Sequence, residues 1–359
     1  MATQARTLRR IPSTVVLRRI RPFFAGAVTT LIALSILTVY LSPLGYMLVT
    51  GLKNKEMITD SKAPIWPALK ETFTYEGKEY PLYNVPTEDG RMHTWALIQK
   101  TTEQSTFIDP ANPEAGPIQW RGRWRILKPV WQLSPRWENF PEAWKDLNLP
   151  RLLRNTIAIA AIGAVGTLLS CIVVAYGFSR FRFPAKGFLF MLLISTIILP
   201  GFVTLVPTYT VFQRIGWVGS WLPLLVPHFF ANAYNVFMLR QFFMTIPKDL
   251  DEAAMIDGAG PLRTLISVVL PQAVPALIAV SLLHIVWAWN DYFNPLIYLS
   301  TRRDLQPIAL GIQSYNALHS AQPHMVQATS LLGLFVPVTI FFLAQRFFMR
   351  GIVFTGVEK

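Results

Sequence analysis

Asp, Glu, Lys and Arg are absent from six long stretches of this chain: residues 22–52, 155–179, 187–213, 215–239, 264–290 and 305–345, the last polar and loop-like in its first half. A helix of about 20 apolar residues crosses a hydrocarbon core of about 30 Å, and each stretch is long enough. Buried helices of a large soluble core are the competing reading. That reading fits poorly with a chain whose charged residues make up only 15% while it carries 24 Phe and 11 Trp. The sequence therefore predicts an all-α membrane protein with six spans, near residues 24–50, 155–178, 188–212, 217–239, 265–290 and 326–348. Pro200, Pro207, Pro223, Pro227, Pro271, Pro275 and Pro337 fall within the apolar stretches. Neighbouring helices can satisfy the carbonyls that proline frees, so these spans are expected to be kinked or broken, which suits a transporter better than a rigid anchor.

The net charge of +13 invites a nucleic-acid reading, but the placement of the cations argues for topology instead. Arg6, Arg9, Arg10, Arg18, Arg19 and Arg21 precede the first span with no acid among them. Arg180, Arg182 and Lys186 follow the second, and Arg346, Arg350 and Lys359 follow the sixth against Glu358 alone. Residues 51–154 are nearly balanced. Lys and Arg mark the cytoplasmic side, so both termini are expected inside and 51–154 outside. An even number of spans also requires the termini to share a side. A basic arm (1–23) and a tail (349–359) are accordingly cytoplasmic, in a protein that crosses the cell (inner) membrane of a prokaryote and has no nucleic-acid partner. The first stretch is too long for a signal-peptide core and lacks a small-residue cleavage site, so it reads as a retained span. Cys171 is the single cysteine and lies mid-span, which excludes an intrachain disulfide.

Between spans one and two, residues 70–136 hold Tyr75, Tyr80, Tyr83, Trp95, Trp120, Trp124 and Trp131 among turn signals such as Glu76-Gly77 and Asp89-Gly90. From Gln119 to Leu127, aromatic or apolar residues alternate with basic ones, as in a half-buried strand. This predicts a small, mostly β extracytoplasmic insertion in the first outside loop. It serves either as a contact for a binding protein or as an ornament packed on the spans.

The cytoplasmic segment 245–263, between spans four and five, carries Pro247, then Asp249, Asp251 and Glu252. Acids in a first turn favour the positive end of the helix dipole. Ala253 and Ala254 leave a closely approachable face, and Gly258, Ala259, Gly260 and Pro261 end the helix in a sharp turn. A second helix can begin near Leu262. The product is a helix–turn–helix knob able to enter a groove on another protein.

The run Glu252-Ala253-Ala254-Met255-Ile256-Asp257-Gly258-Ala259, followed by Leu270-Pro271, resembles the EAA loop of binding-protein-dependent ABC importer permeases. Trp289-Asn290-Asp291-Tyr292-Phe293-Asn294-Pro295-Leu296 and the C-terminal Gln345-Arg346-Phe347-Phe348-Met349-Arg350-Gly351-Ile352 resemble the carbohydrate branch, in particular the MalG-like subunit type. The resemblance covers the arm, the spans and the tail, residues 155–348 forming the permease core, and leaves out the insertion. It implies the six-helix type I ABC importer fold. Its partners would be a second, MalF-like permease, an ATPase dimer, an extracytoplasmic substrate-binding protein and the lipid bilayer. It also implies that Glu252, Ala253, Ala254, Asp257, Gly258 and Ala259 form the coupling helix that docks on the ATPase. Residues 299–323, with Gln313, Tyr315 and Asn316, would reach towards the binding protein.

Polar residues within spans usually face a bundle interior or a water-filled path, and Trp faces beside amides and a carboxylate suit sugar. Trp287, Trp289, Asn290, Asp291 and Asn294 are therefore candidates for a sugar path, with Asn232 and Asn235 beside them; interfacial or packing roles are the alternative. His228 and His284 read as packed polar residues, with no pair at metal-ligand spacing. The sequence has no Gly-x-x-x-x-Gly-Lys-Ser/Thr loop and no credible Ser/His/Asp or Cys/His set. The expectation is a transporter subunit that is not an enzyme and holds no cofactor, with ATP and Mg bound by the partner ATPase. A permease for a non-sugar solute and an ion-coupled secondary transporter are the rival readings.

Overall fold

Long apolar helices and two antiparallel sheets follow each other in this chain, and where each element breaks decides what it can pack against. The computed structural model describes residues 13–87, 90–316 and 321–353. Arg6, Arg9 and Arg10 of the basic arm, and Gly356 to Lys359 of the tail, lie outside the described residues.

Helix α1 (Ser13–Gly51) starts well ahead of the predicted span and runs back into the basic arm. A short α2 (Lys55–Thr59) follows. The insertion comes next: β1 (Ala68–Lys70), β2 (Thr72–Tyr75), β3 (Lys78–Pro86), β4 (Met92–Gln99), β5 (Gln104–Ile108), β6 (Ile118–Arg121), β7 (Lys128–Pro129) and β8 (Trp131–Leu133). Strands β2 to β6 pair in sequence order as antiparallel neighbours, β7 pairs with β3, and β1 pairs with β8. One face buries Tyr83, Val85, Trp95, Leu97, Phe107 and Leu127, and the other buries Leu82, Ala96 and Ile108. This alternation is what a sheet of period two requires. At its base Lys70 lies 2.7 Å from Asp60 and holds that carboxyl below the usual carboxylate range.

The predicted strand through Gln119 to Leu127 is only partly formed. Strand β6 ends at Arg121, because Gly122 sits at φ +153 under the Trp120 ring, where any side chain would collide with the indole. Trp124 to Ile126 then form a single 3-10 turn.

After α3 (Asn139–Asp146), α4 (Leu149–Arg180) forms the second span. The third is a bent pair, α5 (Lys186–Ser195, with a 3-10 turn to Ile198) and α6 (Gly201–Arg214), meeting at 97°. Pro200 supplies no N–H and forces Leu199 out of helical backbone; Leu199 lies at ψ 115. The fourth span lies further along the chain than predicted. Trp217 to Ser220 form a turn, and the apolar segment runs Leu222–Thr245, through α7 (Leu222–Leu225), a 3-10 turn and α8 (Ala233–Thr245). Next come α9 (Asp249–Ile256) and α10 (Pro261–Thr264), the latter passing through a π-helical stretch, Leu265–Val269, into α11 (Leu270–Asn290). That widened stretch lies just ahead of Pro271, where a regular ladder would lose a donor. Pro207, Pro275 and Pro337 lie inside continuous helices. The chain closes with α12 (Phe293–Leu299), α13 (Ile308–Ile312) and α14 (Pro323–Val353).

Among the described residues, five helices are long and apolar enough to cross a membrane, or six if the bent pair is one span. Helices α4, α8 and α11 share the main core, around Cys171, Val236, Leu239, Phe243, Val269 and Val280. Helix α1 pairs with α14, with the backbone of Gly51 close against Ala328. Helices α5 and α6 have no fully buried residue, although Leu193, Tyr209 and Phe212 pack half-buried against the neighbouring cores.

Candidate functional site: an elbow beyond the spans and a cavity between them

The first turn of α9 carries Asp249, Asp251 and Glu252, as the dipole of a helix start favours. Its last turn closes through Asp257 N to Ala253 O at 3.0 Å, Gly258 N to Met255 O at 3.0 Å and Ala259 N to Ala254 O at 2.8 Å. Gly258 sits at φ +79, the left-handed backbone that ends many helices and that glycine adopts without penalty. Pro261 opens α10 at the first helical position, where its missing N–H costs nothing. The helix–turn–helix elbow predicted at 245–263 is therefore present, with its second limb beginning at Pro261.

Glu252, Ala253, Asp257 and Gly258 are exposed, and Ala254 and Ala259 are half-buried. Around them Met255, Ile256 and Leu262 are exposed by 60%, 87% and 68%. The rear of the elbow is polar. Arg180 Nε lies 2.7 Å from Asp251 Oδ2, and Tyr176 Oη donates to the Pro261 carbonyl at 3.2 Å. At the same end Arg240 donates to the Phe178 carbonyl and lies over the Phe190 ring, 4.2 Å from its centroid. Sequence reading counted Arg180 among the topogenic cations and Asp251 among the helix-start acids. Seventy-one positions separate the two, so no local spacing could signal their pairing.

The candidate path residues divide between two faces of α11. Trp287 and Asp291, with Asn294 from α12, line a cavity of about 210 Å³ together with His228, Thr208 and Tyr298. The His228 ring meets Trp287 edge-on at 5.5 Å and His284 at 4.6 Å, and Thr167 Oγ1 lies 3.2 Å from His284 Nδ1. The two histidines are packed polar residues, as expected, but against each other. Among the described residues no group of three or more His, Cys, Asp or Glu is placed to hold a metal. Both Asp291 oxygens accept from Asn294 Nδ2, at 3.2 and 3.0 Å, and Oδ1 also accepts from Asn294 N, so the carboxylate opens α12 while facing the cavity.

Trp289 and Asn290 point the other way, towards a separate cavity of about 570 Å³ bordered by Leu44, Met47 and Pro337. Trp289 is buried against Leu149, Leu152 and Ile308, and Asn290 donates to its own helix at Val286 O, 2.8 Å away. Asn232 caps α8 by accepting from Asn235 N at 3.0 Å and sets Nδ2 3.8 Å from Cys171 Sγ; Asn235 is buried. In the loop before α14, Gln313 and Asn316 are exposed while Tyr315 is buried, and burial pushes its hydroxyl up to about 12, with Asp146 and Glu142 adding to the shift.

Residues 166–353 match the family model described as "Binding-protein-dependent transport system inner membrane component". The chain is 36% identical over 228 residues to the sn-glycerol-3-phosphate transport system permease protein UgpE of Pectobacterium atrosepticum, covering 61% of this chain and 80% of the relative. It is 26% identical over 268 residues to the osmoprotective compounds uptake permease protein GgtD of Synechocystis sp., covering 74% and 90%. A bacterial ABC transporter structure, involved in import of the acidic polysaccharide alginate, shares the fold with a TM-score of 0.60 and 17% identity over 95% of this chain and 99% of that one. The chain thus belongs to the binding-protein-dependent transport system inner membrane components, and it is a multi-pass permease subunit of an ABC importer, a transporter component rather than an enzyme.

Proposed function

We propose that this permease subunit translocates a sugar or sugar derivative delivered by an extracytoplasmic binding protein, driven by an ATPase dimer that docks on the α9 elbow. The observation that carries the docking is the exposed tip. Leu250, Met255, Ile256 and Leu262 offer apolar surface beside the small Ala253, Gly258 and Ala259. Such a surface on a short helix fits a groove on another protein. Arg180, Arg182 and Lys248 gather at the same end, which favours a cytoplasmic elbow and an outside sheet. On this reading both termini are cytoplasmic, and ATP and Mg belong to the partner.

The sugar half rests on the smaller cavity, where the Trp287 ring stands beside Asp291, Asn294, His228 and Tyr298. Aromatic faces stack on the C–H faces of a sugar while carboxylate and amide groups take its hydroxyls. The glycerol-3-phosphate relative belongs to the same polyhydroxylated chemistry. Alternating access follows: closure of the ATPase pair draws the elbows together, and the broken spans swing the cavity from one side to the other. A second reading is a permease of the same architecture for a non-sugar solute; one relative is an osmoprotective compounds uptake permease, whose name leaves the solute class open. Reconstituting the chain with a second permease, the ATPase and the binding protein, and measuring ATP hydrolysis against a panel of sugars, amino acids and phosphate, separates the two. Stimulation by a sugar supports the first reading, and stimulation by amino acids or phosphate alone overturns it.

A further inference from the structure

The exposed tip of α9 is held from behind by charge and by little else. Among the described residues, Asp251 is the one buried side chain of α9. It meets Arg180, the last residue of α4, and the two side chains retain only 10% and 7% of their exposure. The contact is an ion pair at 2.7 Å rather than an aligned hydrogen bond, and Asp251 Oδ1 has no hydrogen-bond partner. The same guanidinium donates through Nη2 to the carbonyl of Ile246 at 3.1 Å, where α8 ends. One turn back on α4, Tyr176 holds the Pro261 carbonyl of α10. Two side chains of α4 therefore grip both limbs of the elbow. Between α9 and the end of α4 lies a cavity of about 330 Å³, lined in part by Met255 and Thr264. No packed apolar layer fills the space that the ion pair spans.

We propose that the Arg180–Asp251 pair is a positioning strut, which makes α4 move with the coupling elbow instead of letting the cavity absorb the movement. The proposal rests on the docking reading above. A buried ion pair contributes little net stability, because desolvation offsets attraction, and in some proteins its role is to specify geometry. Coupling between distant sites can pass through ion pairs and rigid elements that have two discrete arrangements. Arg180 joins α4, α8 and α9 at one guanidinium, so displacement of α9 reaches two of the three core helices directly.

The test uses the complete importer in nanodiscs, in a Cys171→Ser background, with nitroxide labels at Ile157→Cys on α4 and Phe335→Cys on α14. Pulsed electron resonance measures their separation without nucleotide and with ATP–vanadate, so the solute need not be known. The expected result is a clear change in the otherwise wild-type chain. In Asp251→Asn and in Arg180→Gln the change falls to less than half, although the ATPase still co-purifies and hydrolyses ATP. The charge-reversed pair, Arg180→Glu with Asp251→Arg, restores most of it. Single variants that keep the full change overturn the strut, as does a reversed pair no better than the singles. If the singles lose the ATPase through misfolding, the apolar pair Arg180→Met with Asp251→Leu decides, since it strands no charge. Retained ATPase with a lost change then supports the strut, whereas a retained change or lost ATPase overturns it. A wild-type chain that fails to hold the ATPase overturns the docking reading itself; one that holds it yet shows no change overturns the strut alone.

Discussion

At Gly258 the elbow turns through φ +79, and no atom lies within 4 Å of where a side chain would begin. Space is therefore no obstacle there, and two separable effects follow from substitution. Gly258→Ala adds only backbone strain of about 1 kcal/mol and should leave uptake close to normal. Gly258→Trp adds the same strain and places bulk on the proposed docking surface. It should insert normally yet hydrolyse ATP with little uptake, measured as solute transported per ATP in the reconstituted complex; normal uptake would count against docking. A second residue acts purely on stability. Asn139 is fully buried, and its Nδ2 donates to the carbonyls of Gly51 at 2.8 Å and Lys53 at 2.9 Å, where α1 ends. Asn139→Leu leaves both carbonyls without this donor and should lower stability by about 1–3 kcal/mol, read as a lower melting temperature in detergent. Nothing in the local sequence signals this bond, because its partners lie more than eighty positions away.

Helix α4 shows how one element can be tight in its middle and loose towards one end. A Cβ at Gly163 would sit 2.6 Å from His284 Nε2 and 3.2 Å from His228 Cδ2, whereas one at Gly177 would meet nothing within 4 Å. Gly163 is mid-helix and Gly177 lies in the last turn, so replacement by alanine improves helix propensity at both, though less at Gly177. Gly177→Ala should be neutral or stabilising by up to about 1 kcal/mol. Gly163→Ala should be destabilising by about 1–3 kcal/mol through overpacking, with the histidine pair pushed apart. Thermal unfolding of the two variants side by side checks this, and equal melting temperatures would show that α4 and α11 approach less closely. Spacing made the spans legible, because an apolar run long enough to cross a bilayer needs no partner to be recognised. It did not show which prolines break them. Pro200 bends its span by forcing Leu199 out of helical backbone, while Pro207, Pro275 and Pro337 are carried inside continuous helices.

For the whole molecule, the insertion and the spans are nearly separate structures joined at a narrow neck. Ser134 N donates to the Pro67 carbonyl at 3.1 Å, so the chain enters and leaves the sheet at adjacent points. Excising residues 68–133 and joining Pro67 to Ser134 should therefore close without a gap. The shortened chain is expected to insert and to co-purify with the ATPase as the full chain is proposed to. Loss of that contact would show the sheet to be integral to the fold. Helices α5 and α6, with no fully buried residue, leave a wide apolar surface suited to lipid or to another helix.

The sequence by itself determined the membrane class, the number of apolar segments, the β character of the insertion and the elbow. Each rests on local pattern: charge-free length, alternation, or a helix start and stop a few residues apart. Tertiary structure alone decided which polar residues meet. It sent Trp287 and Asp291 to one side of α11 and Trp289 and Asn290 to the other, set Asn232 to capping, and brought Arg180 to Asp251. Burial and ion pairing between distant segments depend on how helices pack, and packing is a property of surfaces that no single stretch of sequence contains.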